Sequence, residues 1–122
     1  MQMPSDDEFD RMISNALDSL PTKYTERMTN VAIIYADEPS PQQRQKLKLH
    51  CNQTLLGLYE GVPLPARGGI QPYLPDKITI FKVPLVLSSN DMNELQENIR
   101  HTLWHEMAHY FGLDHKRIHE LE

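Results

Sequence analysis

The chain has 122 residues, of which 39% are hydrophobic and 24% charged, enough apolar material for one packed domain over residues 1–122. Its net charge of −5 argues against a nucleic-acid-binding protein, because such a protein needs a basic face for phosphates. The acidic N-terminus lacks a signal-peptide pattern and no apolar run approaches the roughly 20 residues that span a bilayer, so we expect a cytoplasmic protein without a membrane partner.

The first predicted element is a helix in the stretch PSDDEFDRMISNALDSLP, which Pro21 ends. Ser5 and Glu8 have the spacing of a capping box, in which two side chains satisfy main-chain N–H groups at the helix start. Apolar residues recur every three or four positions and form one stripe that must face a core. The stripe consists of Phe9, Met12, Ile13, Ala16, Leu17 and Leu20.

Shorter elements occupy the middle of the chain. NVAIIYADEP is predicted to be a buried strand, and SPQQRQKLKLHCNQ a helix with Ser40 as its cap. TLLGLYEG is predicted to be a strand. Residues 62–75 carry four prolines and two adjacent glycines, which indicates a loop. KITIFKV alternates in the manner of a half-buried strand.

The last predicted element is a long helix that begins near Asn90 or Asp91, since Asp91 and Glu94 have the capping-box spacing. We expect it to end at Gly112 in a left-handed conformation. Its apolar stripe consists of Leu95, Ile99, Leu103 and Met107.

Four of the six histidines lie within HTLWHEMAHYFGLDH, residues 101–115, at the end of this helix. His105 and His109 are four residues apart, so they stand one turn apart on the same side and can bind one Zn²⁺. Glu106 projects from an adjacent part of the surface and can approach a metal-bound water without ligating the metal. The spacing therefore predicts two zinc ligands and a general base.

A catalytic zinc site needs a third protein ligand and an open position for water. His115 follows the predicted turn at Gly112 by three residues and is the expected third ligand. Asp114, His119 and Glu120 are alternatives.

Other polar residues have weaker functional interpretations. His101 lies about 12 Å along the helix from His109, too far to share one metal, and we interpret it as a cleft or surface residue. Tyr59, Tyr73 and Arg67 are candidate donors to a developing oxyanion, although packing or solvent-facing roles are the simpler expectation. Further residues are interpreted as packing or solvated surface: Arg44, Lys46, Lys48, His50, Cys51 and Trp104.

HEMAHYFGLDH resembles the extended zinc-binding motif of the zincin metallopeptidases. Together with GLYEGVPLP and LPDKITIF, it makes the chain similar to a small bacterial family of minimal zincin-like metallopeptidases. The resemblance implies an α+β zincin-like fold, with a small mixed sheet packed against an N-terminal helix and a C-terminal metal-binding helix. It implies Zn²⁺ held by His105, His109 and His115, with Glu106 as acid and base. It also implies that KITIFKV is an edge strand that pairs with an extended substrate.

The motif is also similar to that of the metzincins, but no methionine follows Met107, so the methionine-containing turn of that group is missing. The minimal family fits better. We therefore predict a zinc-dependent metallopeptidase that acts on a peptide or protein substrate. Hydrolysis of a non-peptide amide at the same site, and a zinc-containing binding module with little turnover, are the alternatives.

Overall fold

The computed structural model of the protein describes residues 2–28, 30–46, 55–61 and 75–113. The predicted α+β class is confirmed in these ranges, which contain five helices and three strands. Their order is α1 (Asp6–Ser19), α2 (Thr22–Thr25), β1 (Val31–Ala36), α3 (Pro41–Lys46), β2 (Gly57–Glu60), β3 (Asp76–Phe81), α4 (Lys82–Leu87) and α5 (Met92–Tyr110).

The three strands form one mixed sheet in the order β1-β3-β2. β1 runs parallel to β3, and β2 runs antiparallel to it with Tyr59 opposite Ile78. The prediction that KITIFKV is an edge strand is therefore wrong, because β3 has a neighbour on each side. β3 is buried at five of its six residues, on both faces, as a central strand must be. In the described part of the chain, β2 is the edge strand beside α5.

Two strands differ from their predictions in extent or burial. β3 ends at Phe81, and Lys82 and Val83 begin α4 instead of continuing the strand. Pro84 falls in the first turn of α4, where its missing N–H is tolerated. The prediction of a buried β1 is also wrong, since its residues alternate between half-buried and exposed and Ile34 is 43% exposed. The cause is its position at the other edge of the described sheet.

The two long helices pack against each other, and their predicted apolar stripes form the core. At the start of α1, Ser5 Oγ accepts the N–H of Glu8 at 3.2 Å. At the start of α5, Asp91 Oδ1 accepts the N–H of Glu94 at 2.7 Å, so both predicted N-caps are confirmed. Leu17 is partly buried, and the other stripe residues are buried: Phe9, Met12, Ile13, Ala16, Leu20, Leu95, Ile99, Leu103 and Met107.

The remaining elements are short. The sequence did not predict α2, whose Tyr24 packs edge-on against the buried Trp104 with ring centroids 5.0 Å apart. The predicted cap of α3 is confirmed, because Ser40 and Gln43 exchange side-chain to main-chain hydrogen bonds of 2.9 and 3.1 Å. The predicted continuation of this helix past residue 46, with His50 and Cys51, lies outside the described residues, as does the predicted loop at 62–74. None of the described helices is long and apolar enough to cross a membrane.

Candidate metal centre

The long helix α5 presents His105 and His109 on one side, one turn apart. Their ring centroids lie 4.7 Å apart and both residues are half-buried. One potential ligand atom from each of His105, Glu106 and His109 can be chosen so that all three lie within 4.8 Å of one another. The structure therefore brings together three of the four site residues that the sequence predicts.

Glu106 is a residue of α5 whose side chain reaches β2, and it is only 6% exposed. The main-chain N–H of Tyr59 donates a hydrogen bond to Glu106 Oε1 at 3.0 Å. Nδ1 of His109 lies 3.1 Å from the same oxygen. A buried carboxylate needs such partners to offset its lost hydration, and these two fix its position between the helix and the strand.

The contact with Glu106 changes the protonation of His109. The hydrogen bond to the Glu106 carboxylate raises the pKa of His109 above its ordinary value of 6.5, and the negative charge of Glu106 acts in the same direction. Partial burial of the imidazole opposes both effects. A proton on Nδ1 of His109 satisfies this hydrogen bond and leaves Nε2 as the ring nitrogen for a metal.

Close packing of β2 on α5 depends on Gly57. A Cβ at this position would lie 2.5 Å from the Thr102 Cγ2 methyl and 3.5 Å from Glu106 Cγ. The first distance is far below van der Waals contact, and the Thr102 side chain is held by the hydrogen bond that its hydroxyl donates to Asn98 O at 2.7 Å. Gly57 therefore allows the strand to approach the helix closely enough for the Tyr59 N–H to reach Glu106.

The side chain of Tyr59 joins β2 to the start of β3. Its hydroxyl donates a hydrogen bond of 2.5 Å to Oδ2 of Asp76, which is 1% exposed. Its ring packs edge-on against Tyr110, with centroids 6.1 Å apart. The hydroxyl that the sequence proposed as an oxyanion donor is thus directed at a carboxylate. The other two candidates, Tyr73 and Arg67, lie outside the described residues.

Two residues of the site, Asp76 and Gly57, were not predicted from the sequence. An acidic residue at the start of an otherwise apolar strand was the available signal for Asp76. No local pattern identifies Gly57, whose importance comes from a helix some 45 residues later in the chain.

A cleft of about 300 Å³ opens beside His105 and Glu106. One wall is the chain leading into β2, at Leu55, Leu56 and Gly57, and the other is α5. From α5 the lining includes His101, Thr102, His105 and Glu106. His101 is exposed and lies in this lining, the position that the sequence analysis considered for it.

The C-terminal end of α5 redirects the chain. Gly112 has φ of 73°, as predicted for a left-handed helix end. Its N–H donates to His109 O and that of Leu113 donates to Ala108 O, each at 3.0 Å, which is the Schellman pattern. The predicted third ligand, His115, and its alternatives at Asp114, His119 and Glu120 lie outside the described residues.

The donor set fits a zinc ion. Zinc in proteins is bound by imidazole nitrogen, thiolate sulfur and carboxylate oxygen, and the nitrogen and oxygen ligands lie at about 2.0–2.2 Å. The two imidazoles are one turn apart and, with a Glu106 oxygen, offer ligand atoms that all lie within 4.8 Å of one another. Within the described ranges, this is the group of histidine and acidic side chains that could hold a metal.

The fold and this site define an α+β protein with a two-histidine, one-glutamate centre on a long helix. A family model described as zincin-like metallopeptidase matches residues 28–122, and the chain therefore belongs to that family. Family membership indicates a zinc-dependent hydrolase.

One solved structure with a similar fold is a conserved hypothetical protein from Thermus thermophilus, at a TM-score of 0.61 and 13% identity. The match covers 88% of this chain and 94% of that one, and at this identity it speaks for the fold alone. A comparison with curated proteins gives no match.

Proposed function

We propose that the protein is a zinc-dependent peptidase that cleaves peptide or protein substrates. His105 and His109 would hold the ion, together with His115 as the third ligand expected from the sequence. The observation that carries the proposal is the grouping of both imidazoles and the buried Glu106 carboxylate beside an edge strand and an open cleft.

When bound, zinc would act as a Lewis acid that lowers the pKa of a water molecule and polarises a carbonyl group. Glu106 accepts a proton from the attacking water as the carbon–oxygen bond forms, and it returns that proton to the amine as the carbon–nitrogen bond breaks. The Tyr59 N–H supports this role, because it holds Glu106 in one position on α5.

The peptide substrate would lie along β2. The Tyr59 N–H donates to Glu106, so it is directed away from β3. Gly57 lies two residues earlier in the same strand, so its main-chain N–H and C=O are directed to the same side. Gly57 also lines the cleft, and we propose that an extended peptide pairs with its main-chain groups and places a side chain in that cleft. β2 thus replaces KITIFKV in the substrate-pairing role.

The test compares wild type, Glu106→Gln and the matched control Glu97→Gln, which removes the same charge from an exposed position of α5. We expect about one zinc per chain in all three by mass spectrometry. Cleavage of a mixed peptide library should fall about 10²–10⁴-fold in Glu106→Gln alone, the usual contribution of a general base.

Zinc binding without cleavage in the wild type would favour the zinc-containing binding module instead. Equal cleavage by wild type and Glu106→Gln would exclude Glu106 as the base. Chains that hold no metal would overturn the proposal altogether. A cytoplasmic location stays a prediction from the sequence, which cell fractionation can test.

A further inference from the structure

We propose that Asp76 and the Tyr59 hydroxyl form a positioning pair that sets where the Tyr59 N–H holds Glu106. The inference rests on the proposed function, since it gives this pair a role in the work of the general base. The two residues affect Glu106 through the main chain of β2 and not by contact with the substrate. Their role is to fix the position of the strand.

The strand needs such a fixing contact. β2 has four residues and lies at an edge of the described sheet, where a strand is held by one ladder of hydrogen bonds. The Tyr59 N–H is not part of that ladder, because it donates to Glu106 across the gap to α5. A small rotation of β2 about its own axis would therefore lengthen the 3.0 Å hydrogen bond before it broke the pairing with β3.

Asp76 is a rigid point to which the strand can be tied. It begins the central strand β3, its own N–H donates to Asn30 O at 3.0 Å, and the residue is 1% exposed. The carboxyl also lies against Gly61, where a Cβ would overlap it. An acceptor held by main chain and packing on several sides cannot follow a moving partner.

Tyr59 reaches this point by cross-strand geometry. It lies opposite Ile78, so Asp76 is its diagonal neighbour on the same face, within range of a long aromatic side chain. The 2.5 Å hydrogen bond to Asp76 and the edge contact with Tyr110 hold the ring at its tip and at its side. With its ring held, the main chain of Tyr59 has one orientation, and its N–H is directed at Glu106.

The experiment measures this hydrogen bond directly in the full-length protein. Amide hydrogen exchange of residue 59 is followed by NMR in wild type, Asp76→Ala, Tyr59→Phe and Glu106→Ala, with α5 core amides as the measure of global stability. Tyr35→Phe is the matched control, because it also removes a hydroxyl bonded to an oxygen, here the main-chain Asp6 O at 3.5 Å.

We expect residue 59 to exchange faster in Asp76→Ala and Tyr59→Phe, approaching the rate in Glu106→Ala, which lacks the acceptor, while the α5 core amides keep their protection. Peptide cleavage by the same two variants should show kcat lowered about tenfold with KM little changed, the low end for residues that orient a metal site. Tyr35→Phe should match the wild type in both measurements.

Unchanged exchange at residue 59 in both variants overturns the inference, whatever happens to cleavage. Equal loss of protection throughout α5 also overturns it, because the pair would then serve only general stability. A wild type that binds zinc without cleaving peptides refutes the proposed function, and the exchange rates still decide whether the pair positions Glu106.

Discussion

Glu106 receives two hydrogen bonds through one oxygen, one from its own helix and one from β2. His109 approaches Oε1 at 3.1 Å and the Tyr59 N–H at 3.0 Å. The carboxylate therefore links the helix that carries the histidines to the strand beside the cleft. At the scale of single residues, removal of this carboxylate should change the surroundings of both His109 and the Tyr59 N–H.

The first prediction concerns the imidazole of His109 in protein stripped of metal. Because Glu106 raises the pKa of His109, Glu106→Gln should lower that pKa while the opposing effect of burial persists. NMR titration of the ring protons measures the change. An unaltered pKa would contradict the hydrogen bond as the cause.

The same pair gives stability a defined pH dependence. The folded-state pKa of His109 is raised above 6.5, so the contribution of the pair is fully present below that value. It is lost as the pH rises through the raised pKa, because the folded state then no longer binds the extra proton. The difference in unfolding free energy between wild-type and Glu106→Gln apoprotein should therefore shrink as the pH is raised from about 5.5 toward about 9.

A second prediction tests the close approach at Gly57. Gly57→Ala should destabilise the protein by about 1–3 kcal/mol, the usual cost of overpacking, because the new Cβ meets the Thr102 methyl at 2.5 Å. In a Thr102→Ser background that methyl is gone, while the hydroxyl can still donate to Asn98 O. The cost of Gly57→Ala should then fall.

Urea unfolding of the four proteins forms a double-mutant cycle. The same cost in both backgrounds would mean that something other than the Thr102 methyl limits the approach of the strand.

At the scale of elements, the end of α5 is as informative as its start. The left-handed Gly112 lies just after the end of α5, three residues before the predicted ligand His115 in the sequence. Gly112→Ala should cost about 1–2 kcal/mol, because a side chain disfavours this conformation, and Gly112→Asn should cost less. Zinc affinity, measured by competition with a chelator, should weaken in the same order. Equal effects of the two substitutions would exclude backbone conformation as the cause.

The sequence predicted those elements whose signals are local. The caps at Ser5 and Asp91 and the stripes of α1 and α5 depend on spacings of three and four residues, and all were correct. The order of the strands was not predictable in this way, because the parallel pairing of β1 with β3 joins segments about 45 residues apart. The resemblance to the family implied an edge position for KITIFKV, whereas the structure has this strand at the centre of the described sheet.

The candidate site also combines features that local spacing predicts with features that depend on long-range contacts. His105, Glu106 and His109 follow from one helical turn and could be predicted. The contacts of Tyr59 with Glu106 and Asp76 join three elements, and no pattern within any of them indicates the others.

At the scale of the whole molecule, metal binding should stabilise the fold. Zinc at 100 times its dissociation constant adds about 2.7 kcal/mol, which corresponds to roughly 10 °C in Tm for a domain of this size. Calorimetry with zinc and with a chelator measures the increment. His105→Ala should lose it and His101→Ala should keep it. An increment that survives in His105→Ala would place the metal elsewhere.

The hydrogen bond between Tyr59 and Glu106 joins residues 47 positions apart, whereas the three predicted zinc ligands span residues 105–115. The ligands can therefore come together as soon as one helix and its turn have formed, but the carboxylate gains its strand partner only after long-range closure, which is the slower event. Under the proposed function, a folding chain can therefore bind its metal before β2 holds the general base in place.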